Sequence, residues 1–307
     1  MQLNARQQQQ LIEHYKGQKV VRNAPGVIFA AKLPDTAITA YKSGKVMFQG
    51  AGAVRESTKW GNEQTTAVVK KPSTKGDVLP SGFDSLSVIG SDETGTGDYF
   101  GPVTVAAVYV PSNKIELLKE LGVKDSKMLT DSIMLEIAPM IKEACIHSIL
   151  VLRNEKYNSV QQKGWSQGKI KALLHNQALQ HVLNKIAPKK PDNILIDQFA
   201  ERGIYYNYLK NEKQIVRENV LFSTKAEQVH IAVAAASILA RVAFLKEMDR
   251  LSDSIGMPLP KGASKKVDEM AAKVWLTQGE DTLKTLTKWH FANTEKARSL
   301  MKKRLSK

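Results

Sequence analysis

Four acidic side chains stand where this chain could do chemistry. Asp92 and Glu93 are adjacent, at the end of LSVIGSDE and ahead of the glycine-rich TGTGDYFG. Asp197 closes a second apolar run, NILID, and Glu227 precedes IAVAAASILA. Carboxylates gathered near strand ends offer only oxygen ligands, which suits Mg²⁺ or Mn²⁺ rather than zinc. Two such ions about 3.5–4 Å apart activate water and stabilise the leaving oxygen of a phosphodiester. That chemistry needs no His or Cys nucleophile, and none is arranged along the chain.

Each acid also has a plainer reading. Asp, Gly and Thr are at home in a hairpin turn. Adjacent strand residues point to opposite faces, so Asp92 and Glu93 share a site only if the backbone turns there, which Gly95 and Gly97 permit. Asp197 suits a loop or a helix cap. Glu227 falls on a helical stripe with Ile231, Ala234 and Ile238, yet Thr224–Glu227 also matches a capping box. The glycine loop itself carries no nucleotide fingerprint. Phe100 stands where a dinucleotide loop needs its third glycine, and no Gly-Lys-Ser/Thr follows.

The elements that must position these acids read as a mixed α/β layer structure. LSVIGSDE and PVTVAAVYV form two strands around the glycine turn, an antiparallel hairpin. Helices are expected near Ile115–Leu121, Ser132–Ala144 and Gln167–Ile186, the last with Ile170, Leu173, Leu174 and Ala178 on one face. IHSILVLR, NILID and ENVLFST read as strands. A long helix runs from Thr224 to Gly256, and the C-terminal segment is helical and basic. Strands alternating with helices after a hairpin imply a mixed sheet flanked by helices. Ahead of it, residues 1–72 read as a small α+β domain. It has a helix over Ala5–Lys16, a strand GVIFAAKL, a hairpin turning at Ser43-Gly44, and a further helix or strand near Arg55–Lys71. Residues 73–84, rich in Pro, Gly, Ser and Asp, are the expected linker, and 85–307 the second domain.

The net charge of +15 over 307 residues favours a polyanionic partner. Residues 1–75 hold 12 basic against 4 acidic side chains, so the first quarter is the more densely positive. The longest apolar run is about half a bilayer span, so no membrane is expected. The single cysteine, Cys145, excludes an intrachain disulfide framework and a cysteine-based zinc site. With no secretory signal pattern at Met1, a cytoplasmic location is expected.

The chain resembles the bacterial ribonuclease HIII family, a branch of type 2 ribonuclease H. The resemblance is carried by GSDETGTGDYFGPVTVAAV, GVKDSKMLTD, ILIDQFA, STKAEQVHIAVAAASILARVAF, LPKGAS and KWHFANTEKA, with YKSGKVMFQG matching the family's N-terminal domain. It implies a ribonuclease H-like catalytic domain behind a substrate-binding domain like the TATA-binding protein. It implies metal-dependent cleavage of the RNA strand of RNA–DNA hybrids, with two ions in the substrate complex. By motif position, Asp92, Glu93, Asp197 and Glu227 match the catalytic and metal-holding acids. Gly95, Thr96 and Gly97 stand where the sister HII branch has Gly-Arg-Gly, which argues against efficient cleavage at single embedded ribonucleotides. Substrate contacts are expected from this turn, from Lys127, and from Tyr41, Lys42 and Lys45 at the N-terminal hairpin. His290 reads as structural. A monomer without a small-molecule cofactor is expected. Two other readings are an HII-type junction ribonuclease and a non-catalytic nucleic-acid-binding protein.

Overall fold

A computed structural model describes residues 1–22, 26–60 and 76–305. The chain forms two compact units, Met1–Ser73 and Thr74–Lys307. In the first, helix α1 (Ala5–His14) opens with a reciprocal capping box between Asn4 and Gln7. Strands β1 (Val27–Lys32), β2 (Ala37–Tyr41) and β3 (Val46–Gln49) follow, then helix α2 (Ala53–Thr58). The strands form an antiparallel sheet in the order β1-β2-β3. Leu11 and Tyr15 share a small core with Phe29, Ile38 and Ala40. The β2–β3 turn uses Gly44 at φ 84° and leaves Lys42 and Lys45 exposed. Of the Arg55–Lys71 expectation, α2 accounts for the start, and residues 61–71 lie outside the described residues.

The second unit contains strands β4 (Val88–Thr94) and β5 (Val103–Val110), then helices α3 (Ile115–Glu120) and α4 (Asp131–Ala144). Strand β6 (Ile146–Leu152), helices α5 (Asn154–Gln162) and α6 (Gln167–Ile186), and strand β7 (Asn193–Asp197) come next. Helix α7 (Arg202–Tyr208), strand β8 (Val220–Ser223) and helices α8 (Ile231–Ile255), α9 (Lys265–Leu286) and α10 (Ala292–Leu305) complete it. The five strands form one sheet in the order β6-β5-β4-β7-β8. The β4–β5 and β5–β6 pairs are antiparallel, while β4–β7 and β7–β8 are parallel. The expected hairpin and mixed sheet are both present.

The central strand alternates as its pleat requires. Val88 joins the core beneath α8, and Ile89 joins the core beneath α6. At Gly90 the next α8-facing position is empty for a reason. A Cβ there would lie 2.2 Å from the Ala232 carbonyl carbon. Helix α8 meets the sheet with buried alanines at 232, 234, 235 and 236, so its backbone presses directly on β4. Gly90→Ala is expected to push α8 off the sheet and lower stability by about 1–3 kcal/mol, measured by thermal unfolding.

Part of the expected linker is fixed to this unit. Gly76 bridges to Ser223, the Asp77 carboxylate accepts from the Phe222 N–H and from Arg202, and Phe83 is buried in the α8-side core.

Candidate active site

The four acids line one open pocket of 510 Å³, together with Thr94–Asp98, Lys127, Ser237 and Arg241. Strand pairing explains how they arrive. Asp92 and Asp197 sit on the neighbouring parallel strands β4 and β7, whose register pairs Ser91 with Ile196.

The backbone turn expected between Asp92 and Glu93 is absent. Strand β4 stays paired with β5 through Thr94, and the side chains alternate. Asp92 follows Val88 and Gly90 on the α8 side. Glu93 follows Ser91 on the α6 side, where it meets Lys171 and His175. Both still line the pocket, because it opens at the strand end, beyond the sheet's edge.

Glu227 also departs from expectation. It is not in the first turn of α8 and forms no capping box. Residues Ala226–Gln228 make a 3₁₀ turn after Lys225, which takes a left-handed conformation, and His230 caps α8 by accepting from the Ala232 N–H at 3.0 Å. The turn serves the site directly. The Ala226 N–H donates to Asp197 Oδ1 at 2.9 Å, and the Gln228 amide donates to Asp125 Oδ2 at 2.9 Å. The DSK segment is thus strapped to the residues around Glu227, and the Ser126 and Ser237 hydroxyls share a 2.9 Å bond.

The acids differ electrostatically. Burial pushes the Asp92 carboxyl up to about 8, helped by repulsion from Glu93 and Asp197. Burial also raises Asp197, with Glu227 and Glu93 adding to it. For Glu93 burial acts in the same sense, but His175 and Lys171 outweigh it and the carboxyl is lowered. Lys171 Nζ donates to Glu93 Oε1 at 2.8 Å, and His175 Nε2 lies 2.8 Å from Oε2. An ionised Glu93 only accepts, so His175 Nε2 carries the hydrogen. In the neutral ring Nδ1 then accepts from the Ser91 hydroxyl at 2.6 Å. Glu227 pairs with Lys127, whose pKa its carboxylate raises, at 2.5 Å.

Among the described residues no lysine, arginine or histidine is within ion-pair distance of Asp92 or Asp197, and no three His, Cys, Asp or Glu side chains converge on one ion position. Two half-buried carboxylates without a cation, beside two that borrow lysines, are a donor set that fits hard divalent cations.

The glycine turn forms the pocket's rim. Gly95 has φ 90°, and a Cβ there would meet the Pro102 carbonyl oxygen at 2.3 Å, so its glycine is structural. Gly97 is exposed and has nothing within 4 Å of an added Cβ. Among the described residues, the Thr96 and Gly97 N–H groups have no protein acceptor. Sequence reasoning missed Ser91, Lys171, His175 and Ser237, and also Gln167, which donates to the Thr96 carbonyl at 2.8 Å. It missed Arg241 and Lys261 too, both paired with Asp131. Tyr41 is half-buried on the N-terminal unit, and its carbonyl accepts from Gln8. His290 lies outside the pocket and stacks on Tyr157.

Residues 89–294 match the family model of ribonuclease HII, which puts this sheet and pocket in the type 2 ribonuclease H class. Residues 1–73 match the model of a domain of unknown function. Over 96% of both chains, the sequence is 65% identical to a ribonuclease HIII of Lysinibacillus sphaericus. It is 54% identical to that of Bacillus subtilis, covering 95% of this chain and 94% of the other. A crystal structure of Bst-RNase HIII in complex with Mn²⁺ is similar over 99% of both chains, with a TM-score of 0.72 and 46% identity. The chain belongs to the ribonuclease HIII family. It is a ribonuclease H, a hydrolase acting on RNA-containing substrates. No described helix is long and apolar enough to cross a membrane.

Proposed function

We propose that this enzyme cleaves the RNA strand of RNA–DNA hybrids endonucleolytically, leaving 5′-phosphate and 3′-hydroxyl ends. The observation that carries the reading is the meeting of Asp92, Glu93, Asp197 and Glu227 in one pocket rimmed by a glycine turn with unused N–H groups. Mg²⁺ or Mn²⁺ would be held by these four acids. Bound there, the ions would supply water activation and stabilisation of the leaving oxygen. The crystal structure of Bst-RNase HIII with Mn²⁺ supports divalent metal use.

The chain's own groups do the rest. Lys171 and His175 fix Glu93 in one orientation, so this carboxylate needs little rearrangement on binding. Lys127 neutralises Glu227 and, being largely exposed, is free to turn towards a substrate phosphate. The Thr96 and Gly97 N–H groups face the RNA backbone and its 2′-hydroxyls, the feature that separates RNA from DNA. Residues 1–72 form a sequence-blind binding domain, with Tyr41, Lys42 and Lys45 contacting the phosphate backbone. Residues 73–84 connect it to the catalytic domain, 85–307.

An end-labelled hybrid incubated with Mg²⁺, Mn²⁺ or chelator tests this reading. Cleavage at several internal RNA positions is expected with either metal and none with chelator. A duplex carrying one ribonucleotide should be cut far more slowly. Equal or faster cutting of that duplex would favour the HII-type junction activity, and no cleavage at all a binding protein.

A further inference from the structure

Lys288, between α9 and α10, is fully buried although lysine is among the residues least often found inside. Among the described residues its ammonium pairs with no carboxylate. It donates instead to three backbone carbonyls, those of Asp98 at 2.8 Å, Gly101 at 2.6 Å and Pro102 at 3.3 Å. An ammonium has three donors and no acceptor, so these carbonyls exhaust it. Burial pulls its pKa down to about 7, which marks the cost of holding a charge there.

All three carbonyls belong to the segment that closes the glycine turn. That segment already has backbone ties to the same place. The Lys288 N–H donates to Tyr99 at 2.8 Å, the Gly101 N–H donates to Leu286 at 2.9 Å, and Phe100 bridges Thr287. Asn154 adds a bond to the Gly101 carbonyl at 2.9 Å. Above this base the Asp98 N–H closes back on the Gly95 carbonyl at 3.3 Å, which shapes the tip at Thr96 and the exposed Gly97. An apolar side chain at position 288 would satisfy packing without burying a charge. The lysine adds what packing does not, one rigid point to which three loop carbonyls are drawn.

We propose that Lys288 is a positioning residue for substrate: its buried ammonium gathers the carbonyls of Asp98, Gly101 and Pro102 and so holds the Gly95–Gly97 turn in the shape that meets the RNA backbone. This rests on the reading of that turn as an RNA contact. Lys288 itself touches no reacting atom.

The test uses full-length Lys288→Met and Lys288→Gln. Hydrogen exchange is followed by mass spectrometry, alongside KM and kcat on an RNA–DNA hybrid. For Lys288→Met, exchange in a peptide spanning 95–102 should quicken at least about tenfold, with β5 and α6 unchanged. KM should rise about tenfold with kcat nearly kept. Lys288→Gln keeps a donor and should recover part of both effects. If Lys288→Met does not fold, Lys288→Gln carries the same measurements, with smaller shifts in the same direction. Unchanged exchange over 95–102 overturns the positioning role. Faster exchange there with KM unchanged overturns the proposal differently, because the lysine then shapes a turn that RNA does not touch. Loosening spread over α9, α10 and the sheet, with a lowered Tm and unchanged KM, leaves a purely structural lysine and also overturns it.

Discussion

Asp92→Asn is expected to reduce hybrid cleavage by about 10³-fold or more while hybrid affinity stays close to wild type. The substitution keeps the shape of the side chain and removes the charge. Asp92 precedes Glu93 on β4 and lies on the strand next to Asp197 on β7, so its loss takes a carboxylate out of the middle of the proposed metal-holding set. Binding should survive, because the phosphate contacts assigned to the glycine turn and the N-terminal unit lie elsewhere. Single-turnover cleavage and fluorescence anisotropy in chelator separate the two effects. Cleavage near the wild-type rate would sink the metal assignment.

The same variant has a stability signature that does not depend on turnover. The Asp92 carboxyl is raised in the folded protein to about 8, from an ordinary value of 3.8. Between these values the unfolded chain is ionised while the folded chain still holds the proton. The folded state therefore binds more protons, and Asp92's contribution to stability falls as pH rises through this window. Asparagine has no such loss. In chelator, Asp92→Asn should thus melt above wild type by a margin that grows from about pH 4 to pH 8 and then levels off. Mn²⁺ should raise the wild-type Tm by mass action and raise that of the variant much less.

Much of this arrangement was legible before the structure. Apolar runs located β4, β5 and β7, and the apolar stripe of Ile170, Leu173, Leu174 and Ala178 located α6. Placing two acids at the ends of apolar strands was enough to find the pocket. Helices α5 and α7 escaped because NEKYNSVQQ and RGIYYNY are short and have no apolar period. Tyr157 and Val160 anchor α5, and Tyr205 anchors α7. The geometry of Glu93 escaped for a different reason. A turn was inferred to let both acids share one face, whereas the pocket opens at the strand end and takes one acid from each face. Lys171, His175 and Lys288 left no sequence signal, since nothing in their neighbours tells an inward-facing basic side chain from a surface one. Glu227 lines the same pocket as Asp92 and Asp197, but from a 3₁₀ turn rather than from the long helix expected from Thr224. The left-handed Lys225 ends the extended segment early and makes a 3₁₀ turn whose N–H binds Asp197, a contact that helical periodicity does not contain.

Removing residues 1–72 is expected to raise KM for a long hybrid by about 10²-fold and to change kcat by no more than about twofold. The four acids and the glycine turn belong to the second unit, which has its own cores on both faces of the five-stranded sheet. The chemical step should therefore persist at saturating substrate. The first unit supplies charge. Residues 1–75 hold a surplus of eight positive side chains, and Lys42 and Lys45 stand exposed on the β2–β3 turn. Each phosphate contact releases counterion and contributes about −0.9 to the slope of log affinity against log salt concentration. If four of these charges meet phosphates, the truncated enzyme should lose about 3.6 from that slope. Affinity measured across a salt series in chelator reads the slope directly. The full-length double variant Lys42→Ala, Lys45→Ala tests the same charge without removing the domain. It should lower the slope by about 1.8 and leave kcat unchanged. An unaltered KM in the truncated enzyme, with an unaltered slope, would show that the basic first unit does not bind the hybrid.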